Sequence, residues 1–375
     1  MNFFCICTLF ATAMTGIHGQ TDALSGPVTI ERQAGEREGR QRAAEIAAIY
    51  WEYEVLAETL HEAEAELGFL NDLTSSLGRP LPVNVAERVH SLRENVLNRV
   101  RTAADRQDVF ELLDRAPGAA NLLVRYIRYG ADFETSQQLL EQMSDNLGSG
   151  GLYPLMYDTL AEQLDNRQRD RHAEPDTTTP ADEAALSAFN TSYADWIDQI
   201  RLLGRLEGRD NFTRNLIIGQ FGLNLTPDVR EALIEANRNL IDTIDAENTL
   251  VALALVDEYG FDQLHAASSR LTGSITGLVH HGGTTEERRT LLTAIEPLAL
   301  SGQYSGQQYA LMYDRLAKRE GRPQRYGTQS ECVGGRLEIY TLENEDLVDD
   351  WRDQVGLGPV QPYLALLRQT YGETC

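Results

Sequence analysis

Six polar side chains in the C-terminal part of the chain have the types that acid–base chemistry or polar-ligand binding requires. A histidine titrates near neutral pH, a carboxylate and a guanidinium orient polar groups, and amides and a phenol donate or accept hydrogen bonds. The candidate catalytic residues are His281, Asp314 and Arg315. The candidate binding residues are Gln324, Tyr326 and Gln329.

The same residues have a structural interpretation that needs no chemistry. Asp314 and Arg315 can pair with the backbone of a hairpin, and Gly327 can be needed only for a turn. His281 falls in the last turn of a predicted helix, where the helix dipole favours a positive charge. We favour the structural role of this motif over catalysis, and both interpretations stay open at this point.

No metal or cofactor site is predicted. His280 and His281 are adjacent, so on a helix their side chains diverge by about 100° and do not easily share one ion. The sequence lacks the His-Glu-x-x-His and Cys-x-x-Cys metal motifs, the Gly-x-Ser-x-Gly nucleophile motif and the Gly-rich phosphate loops. The acidic residues within 343–350 have the chemistry of Ca²⁺ ligands, but we interpret them as a solvated helix face.

The charge balance limits the class of partner. The chain has 375 residues, with 33 Lys and Arg against 57 Asp and Glu, and a formal net charge of −24. Nucleic-acid binding relies on Lys and Arg contacts to phosphates, so DNA, RNA and anionic membrane surfaces are disfavoured. The expected partner is a polar ligand or another protein.

The N-terminus is predicted to be an export signal. Residues 3–14 form an uncharged apolar run, and residues 1–19 are interpreted as a signal peptide, although no Lys or Arg precedes the run. The alternative is a buried N-terminal segment or a mis-started N-terminus. No later stretch reaches about 18 apolar residues, so we expect no membrane insertion after signal removal and a periplasmic or secreted location. Cys332 and Cys375 then remain, as a disulfide or as two thiols.

Apolar residues recur at three- and four-residue steps along most of the chain, which predicts a mainly α-helical fold. One apolar stripe comprises Ile46, Ile49, Tyr53, Leu56 and Leu60. Thr226-Pro227 has the pattern of a helix start, with a cap residue before proline. Thr284 and Glu287 have capping-box spacing, directly after Gly282-Gly283 ends the preceding helix.

The helical part is predicted to be a diverged tandem duplication, because residues 153–161 match residues 309–317 at seven of nine positions. The predicted order is the signal peptide 1–19, a polar lead-in over 20–38, a diverged helical unit over 39–170, a Pro/Thr linker over 171–183 and a signature-bearing helical unit over 184–375. The first unit lacks the candidate site, since Thr159 stands where Arg315 stands in the second.

The signature-bearing unit includes a predicted β-hairpin within residues 324–341. Gly334-Gly335 has the composition of a two-residue turn, and the residues after it alternate between apolar and polar. Strand periodicity puts Cys332, Leu337 and Ile339 on one face, which we expect to be buried. Two more helices are predicted after the hairpin.

Residues 195–370 resemble a bacterial family of unknown function. The family's hallmark is an Asp-Arg helix followed by Gly-x-Pro-Gln-x-Tyr-Gly-Thr-Gln, and Asp314-Arg315 and residues 321–329 match it. Further similar segments are Asp210–Arg214, Ile244–Thr249, Leu278–His281 and Val355–Leu357. Asn211 and His280 differ from the family, which has Gln at both positions. The resemblance implies an architecture and a site, and it implies no reaction.

Two functional hypotheses follow. In the first, the chain is an exported two-unit helical protein whose second unit is a binding module for a polar ligand or a protein partner. In the second, it is an acid–base or hydrolytic enzyme with His281 as the base. The substrate is then oriented by Asp314, Arg315 and Gln329.

Overall fold

The computed structural model describes residues 30–146, 178–221 and 225–371. Several sequence predictions lie outside these residues: the signal peptide 1–19, the first part of the lead-in, most of the linker, the repeat segment 153–161 and Cys375. The fold of the described residues is mainly α-helical with one antiparallel pair of strands, which confirms the predicted fold class. None of the helices in these ranges is long and apolar enough to cross a membrane.

The elements follow one another in a simple order. The first part of the chain forms α1 (Ile30–Ser76), α2 (Val83–Ala104), α3 (Val109–Arg115), a 3₁₀ turn (Pro117–Ala119), α4 (Ala120–Tyr129) and α5 (Phe133–Asn146). The remainder forms α6 (Glu183–Phe221), α7 (Pro227–Tyr259), α8 (Phe261–Ala267), α9 (Ser269–Gly282), α10 (Thr285–Leu300), α11 (Gly306–Arg319), β1 (Ser330–Val333), β2 (Arg336–Ile339), α12 (Val348–Gln354) and α13 (Val360–Tyr371). Because α1 begins at Ile30, the later part of the predicted lead-in is helical.

The chain divides into two compact bodies, each assembled from separate stretches. In the described residues the first body comprises 30–64, 90–146, 208–221 and 225–244, and the second comprises 65–89, 178–207 and 245–371. The division falls inside α1, α2, α6 and α7. These bodies are distinct from the sequence-based units 39–170 and 184–375, whose boundaries stay predictions.

Three helix starts and ends lie where the sequence patterns predict them. Helix α7 begins at Pro227, as predicted from Thr226-Pro227. Thr284 and Glu287 form a complete capping box at the start of α10, with each side chain bonded to the other residue's backbone. Helix α9 ends at Gly282. These predictions are confirmed because capping depends on residues that are close in sequence.

The core of the first body includes the stripe predicted on α1. Its members Ile46, Ile49, Tyr53, Leu56 and Leu60 are all buried. The neighbouring Tyr50 stacks on Phe212 of α6, with 6.0 Å between ring centroids. The apolar periodicity therefore identified the face of α1 that packs inward.

His61 is a buried neutral histidine of the first body. Its Nδ1 lies 2.9 Å from the carbonyl oxygen of Ala57, so Nδ1 carries the proton, and Nε2 has no hydrogen-bond partner among the described residues. Burial, helped by the nearby Arg125, lowers the pKa of His61 to about 3. The ring is therefore uncharged near neutral pH.

The second body contains the predicted hairpin. Cys332 pairs with Leu337 and Ser330 with Ile339, and Gly334-Gly335 forms the turn with positive φ at both residues. The two further helices are α12 and α13, as predicted. The predicted burial of one strand face is wrong, because Leu337 and Ile339 are only half-buried and Cys332 is exposed. A two-stranded sheet at the surface has little protein to cover either face.

Candidate functional site

Asp314 is the anchor of the signature loop, the segment 324–329 that follows α11. Its side chain is 0% exposed. Oδ1 accepts hydrogen bonds from the backbone N–H groups of Arg325 (2.9 Å) and Tyr326 (3.0 Å). Oδ2 accepts from the backbone N–H (2.8 Å) and the hydroxyl (2.9 Å) of Thr328. Burial raises the pKa of the Asp314 carboxyl, and these hydrogen bonds act in the opposite direction. One carboxylate thus satisfies the donors of a whole turn.

Gln324 joins the signature loop to the strands. Its Oε1 accepts from the backbone N–H of Gln329 at 2.8 Å. Its Nε2 donates to the carbonyl oxygens of Gln329 and Tyr340, each at 2.8 Å. Gln324 is 0% exposed, so its amide replaces water for backbone groups on both sides of the hairpin. The Gln329 side chain is also buried and donates to the hydroxyl of Thr328 at 3.3 Å.

Tyr326 belongs to a packed aromatic cluster. Its side chain is 3% exposed and meets the rings of Tyr309 and Tyr313 edge-on, with centroids 5.9 and 5.5 Å away. The Arg352 guanidinium donates to the Tyr326 carbonyl oxygen. Gly327 follows with φ at 62°, and a side chain there would also collide with Val360. Only glycine fits this position without strain.

These contacts divide the six candidate residues into two groups. Asp314, Gln324, Tyr326 and Gln329 are buried and hold the signature loop against α11 and the strands. Each polar atom of Asp314 already accepts two hydrogen bonds from the protein. The structural interpretation of the motif therefore accounts for these four residues. The remaining two candidates, His281 and Arg315, lie on α9 and α11.

Arg315 contacts a histidine that the candidate list does not include. The residue is 7% exposed, and its Nη1 lies within hydrogen-bond distance of Nε2 of His280, near the end of α9. Since a guanidinium only donates, His280 Nε2 must be the acceptor, and the proton of the neutral ring resides on Nδ1. Burial, followed by the charge of Arg315, lowers the pKa of His280 well below its usual value. His280 thus serves Arg315 as a neutral acceptor.

The end of α9 is fixed by Arg288 of α10. This guanidinium is 2% exposed and donates to the carbonyl oxygen of His280 at 3.2 and 3.0 Å and to that of His281 at 3.0 Å. Carbonyls at a helix C-terminus lack hydrogen-bond donors within the helix, and the Arg288 guanidinium provides donors for these two. Gly282 completes the arrangement, because a side chain there would overlap the backbone of Asp245 on α7.

His281 is half-buried beside this fixed helix end, and Arg319 lies one turn beyond Arg315 on α11. The charge of Arg319 acts on both His280 and Arg288. The structure therefore brings together Arg315, His280, Arg288 and Arg319, with His281 adjacent in sequence to His280. We call these five residues the basic cluster. Nowhere in the described ranges do three His, Cys, Asp or Glu side chains group as metal ligands.

Sequence reasoning missed His280, Arg288, Arg319, Arg352 and Thr328 as members of the site. His280 carried a signal, because it occupies a family Gln position, and a neutral imidazole and an amide both offer an acceptor. Thr328 lies within the hallmark motif. The three arginines carried no local signal, since their roles arise from packing between elements distant in sequence.

The fold and the site define a mainly α-helical protein with an internally hydrogen-bonded signature loop. Residues 234–375 match the model of a family described as "Family of unknown function (DUF6624)". This segment includes the hallmark motif and the whole basic cluster, whereas Asp210–Arg214 lies before it. Searches of curated proteins and of solved structures found no match for the chain.

Proposed function

We propose that the second half of the chain is a binding module for a polar ligand, with its site at the basic cluster. One observation carries the proposal: Asp314 and Gln324 hold the signature loop by hydrogen bonds, whereas Arg288 binds the last carbonyls of α9 and Arg315 contacts His280 on that same helix. The loop and the cluster therefore have separable roles. The first gives the body its shape, and the second offers hydrogen-bond donors to a ligand.

The geometry supports binding over catalysis. The enzyme hypothesis gives Asp314 the task of orienting a substrate, but the carboxylate is buried and both its oxygens are occupied by the loop. His280 is neutral and accepts from Arg315, so it holds a guanidinium in place. A rigid set of donors supported by neighbouring residues is suited to binding a polar group.

A side-chain NMR titration tests the binding module. The chain has seven histidines, so ¹³C-labelled histidine gives a small set of resonances. The four probes, used at millimolar concentration, are glucose, putrescine, phosphate and glutarate, which present neutral, cationic and anionic polar groups. We expect at least one of them to bind the cluster and shift the resonances of His280 and His281. His61 is the internal control, since it is buried in the first body and should not respond.

Two variants make this titration specific. In Arg315→Gln and in His281→Gln we expect the His280 resonance to lose its response to the probe while the chain stays folded. Arg315→Gln also removes the donor to His280, so we expect it to lower the thermal unfolding temperature, and His281→Gln to change it little. A large loss of stability with an unchanged titration would instead assign these side chains a structural role. Absence of any response in the wild-type protein to all four probes would contradict the binding module.

We also propose that the protein is exported. The support is the apolar run within residues 1–19, together with Cys332, which is disulfide-bonded. Disulfides persist in oxidising compartments and are rare in the cytosol. After expression in a bacterial host, we expect mass spectrometry to find a mature chain without its first residues in the periplasm or the medium. A cytoplasmic chain that retains Met1 would overturn this proposal.

A further inference from the structure

Helix α1 has a second apolar stripe, on the face opposite to the buried one. Ala44, Ala48, Trp51 and Val55 recur at steps of four, three and four residues, which places them on one side of the helix. All four residues are exposed, and more than half of the surface of Trp51 and of Val55 reaches solvent. We call these four residues the outer stripe. Single exposed apolar residues are common, whereas a group aligned on one helix face indicates an interaction surface.

Polar residues extend the same face beyond both ends of the outer stripe. Arg37 and Gln41 precede the stripe, and Glu58 and Glu62 follow it, again at steps of three and four residues. All eight positions therefore have the heptad spacing with which one helix packs along another. Arg37 and Gln41 are exposed, and the two glutamates are half-buried. Each glutamate also contacts an arginine of its own chain, and a carboxylate has room for a second donor.

This face of α1 is complementary to itself in an antiparallel pairing. If a two-fold axis passes between residues 49 and 50, Ala48 of one copy lies opposite Trp51 of a second copy. Ala44 and Val55 lie opposite each other in the same way. Each large apolar side chain then meets a small one, which allows close packing. In a parallel pairing Trp51 would instead lie opposite Trp51, and Ala44 opposite Ala44.

The charges at the two ends of this face also favour the antiparallel pairing. The same two-fold axis brings Arg37 of one copy opposite Glu62 of the second copy, and Gln41 opposite Glu58. Charged pairs at the edges of a helix seam set the orientation of its two helices. A parallel pairing would align Arg37 with Arg37 and Glu62 with Glu62, and like charges in juxtaposition oppose association.

We propose that the outer stripe is the interface of a homodimer, in which two copies of α1 pair antiparallel through residues 37–62. A two-fold dimer uses the same patch on both subunits, so one self-complementary face is sufficient. The whole interface lies in the first body and is separate from the basic cluster. Because one helix face buries less area than a stable dimer needs, the dimer is weak and forms at micromolar or higher protein concentrations.

Sedimentation equilibrium on the purified protein, from micromolar to half-millimolar concentration, tests the dimer. We expect an equilibrium between monomer and dimer, and we expect Trp51→Glu to raise the dissociation constant at least tenfold. The matched control Leu250→Glu introduces the same charge at an exposed leucine of the second body, and we expect a change of less than twofold. Thermal unfolding of dilute protein should show that both variants are folded, since both positions are exposed.

Disulfide cross-linking tests the antiparallel orientation and does not depend on the stability of Trp51→Glu. Under mild oxidation, a mixture of Ala44→Cys and Val55→Cys chains should form a cross-linked dimer above the background of the wild type. Either variant alone should not, because the antiparallel pairing separates like positions by about 16 Å along the helix axis. The proposal is overturned if the wild type is a monomer at every concentration or if Trp51→Glu dimerises as tightly as the wild type. Cross-links that form mainly in the single variants would also overturn it.

Discussion

Replacing Asp314 by alanine is expected to lower the free energy of unfolding by at least about 3 kcal/mol. The variant leaves the buried backbone N–H groups of Tyr326 and Thr328, and the part-buried one of Arg325, without an acceptor. Each buried group left unpaired costs about 1–3 kcal/mol. Urea unfolding followed by circular dichroism measures the change. Hydrogen exchange should show faster exchange of the amides of Arg325, Tyr326 and Thr328.

Two further variants give this experiment its controls. Asp314→Asn keeps the shape and one oxygen, so it retains an acceptor for two of the four donors, and we expect a smaller loss. Asp257→Ala removes an exposed carboxylate from α7, and surface changes of this kind stay within about 0.5 kcal/mol. If Asp314→Ala were as stable as Asp257→Ala, Asp314 would not anchor the loop, and the enzyme hypothesis would regain its carboxylate.

Replacing His280 by leucine is expected to destabilise the second body by about 1.5–3 kcal/mol, the usual worth of a hydrogen bond to a charged group. The change removes the neutral ring nitrogen that accepts a hydrogen bond from Nη1 of Arg315. Glutamine at this position retains a neutral acceptor of similar reach, so His280→Gln should stay within about 1 kcal/mol of the wild type. Equal losses in the two variants would show that the ring is needed for packing and not as an acceptor.

Comparing the wild type with His280→Gln gives a pH test whose sign can be predicted. The pKa of His280 in the folded state lies well below its usual value of 6.5, because burial and the nearby arginines oppose protonation. Below pH 6.5 the unfolded chain therefore binds a proton that the folded chain does not.

The stability of the wild type relative to His280→Gln should then fall on acidification, by about 1.4 kcal/mol per pH unit below the unfolded pKa, and the fall should end near the folded pKa. His61 is present in both proteins, so its contribution to the pH dependence of stability cancels in the comparison. A difference between the two proteins that does not vary between pH 7.5 and 5 would mean that His280 is not held neutral in the folded state. Urea unfolding across this pH range measures it.

The local features of the fold were predictable from the sequence. The stripe on α1, the start of α7 at Pro227, the capping box of α10 and the turn at Gly334-Gly335 all depend on residues within a few positions of each other. The buried strand face was the exception, since burial depends on which elements lie against the strands. The alternation of the strand set its register correctly but carried no information about its neighbours.

Only part of the candidate site could be selected from the sequence. Six polar residues were selected by type and by family resemblance, and the structure uses four of them to hold the signature loop. Whether Asp314 faces a ligand or a backbone turn is decided by a chain reversal that places residues 325–328 around its carboxylate. The residue type alone does not distinguish the two, because a carboxylate accepts hydrogen bonds from a ligand and from a backbone turn in the same way.

The sequence by itself determined the helical class of this protein, its hairpin and the position of its signature motif, because periodicity, capping and turn chemistry are properties of neighbouring residues. Only the tertiary structure decided that His280, 35 positions before Arg315, accepts a hydrogen bond from it, and that Arg288 holds the end of α9. The physical reason is that burial and hydrogen-bond pairing depend on which helix faces meet, and packing between distant segments sets those faces.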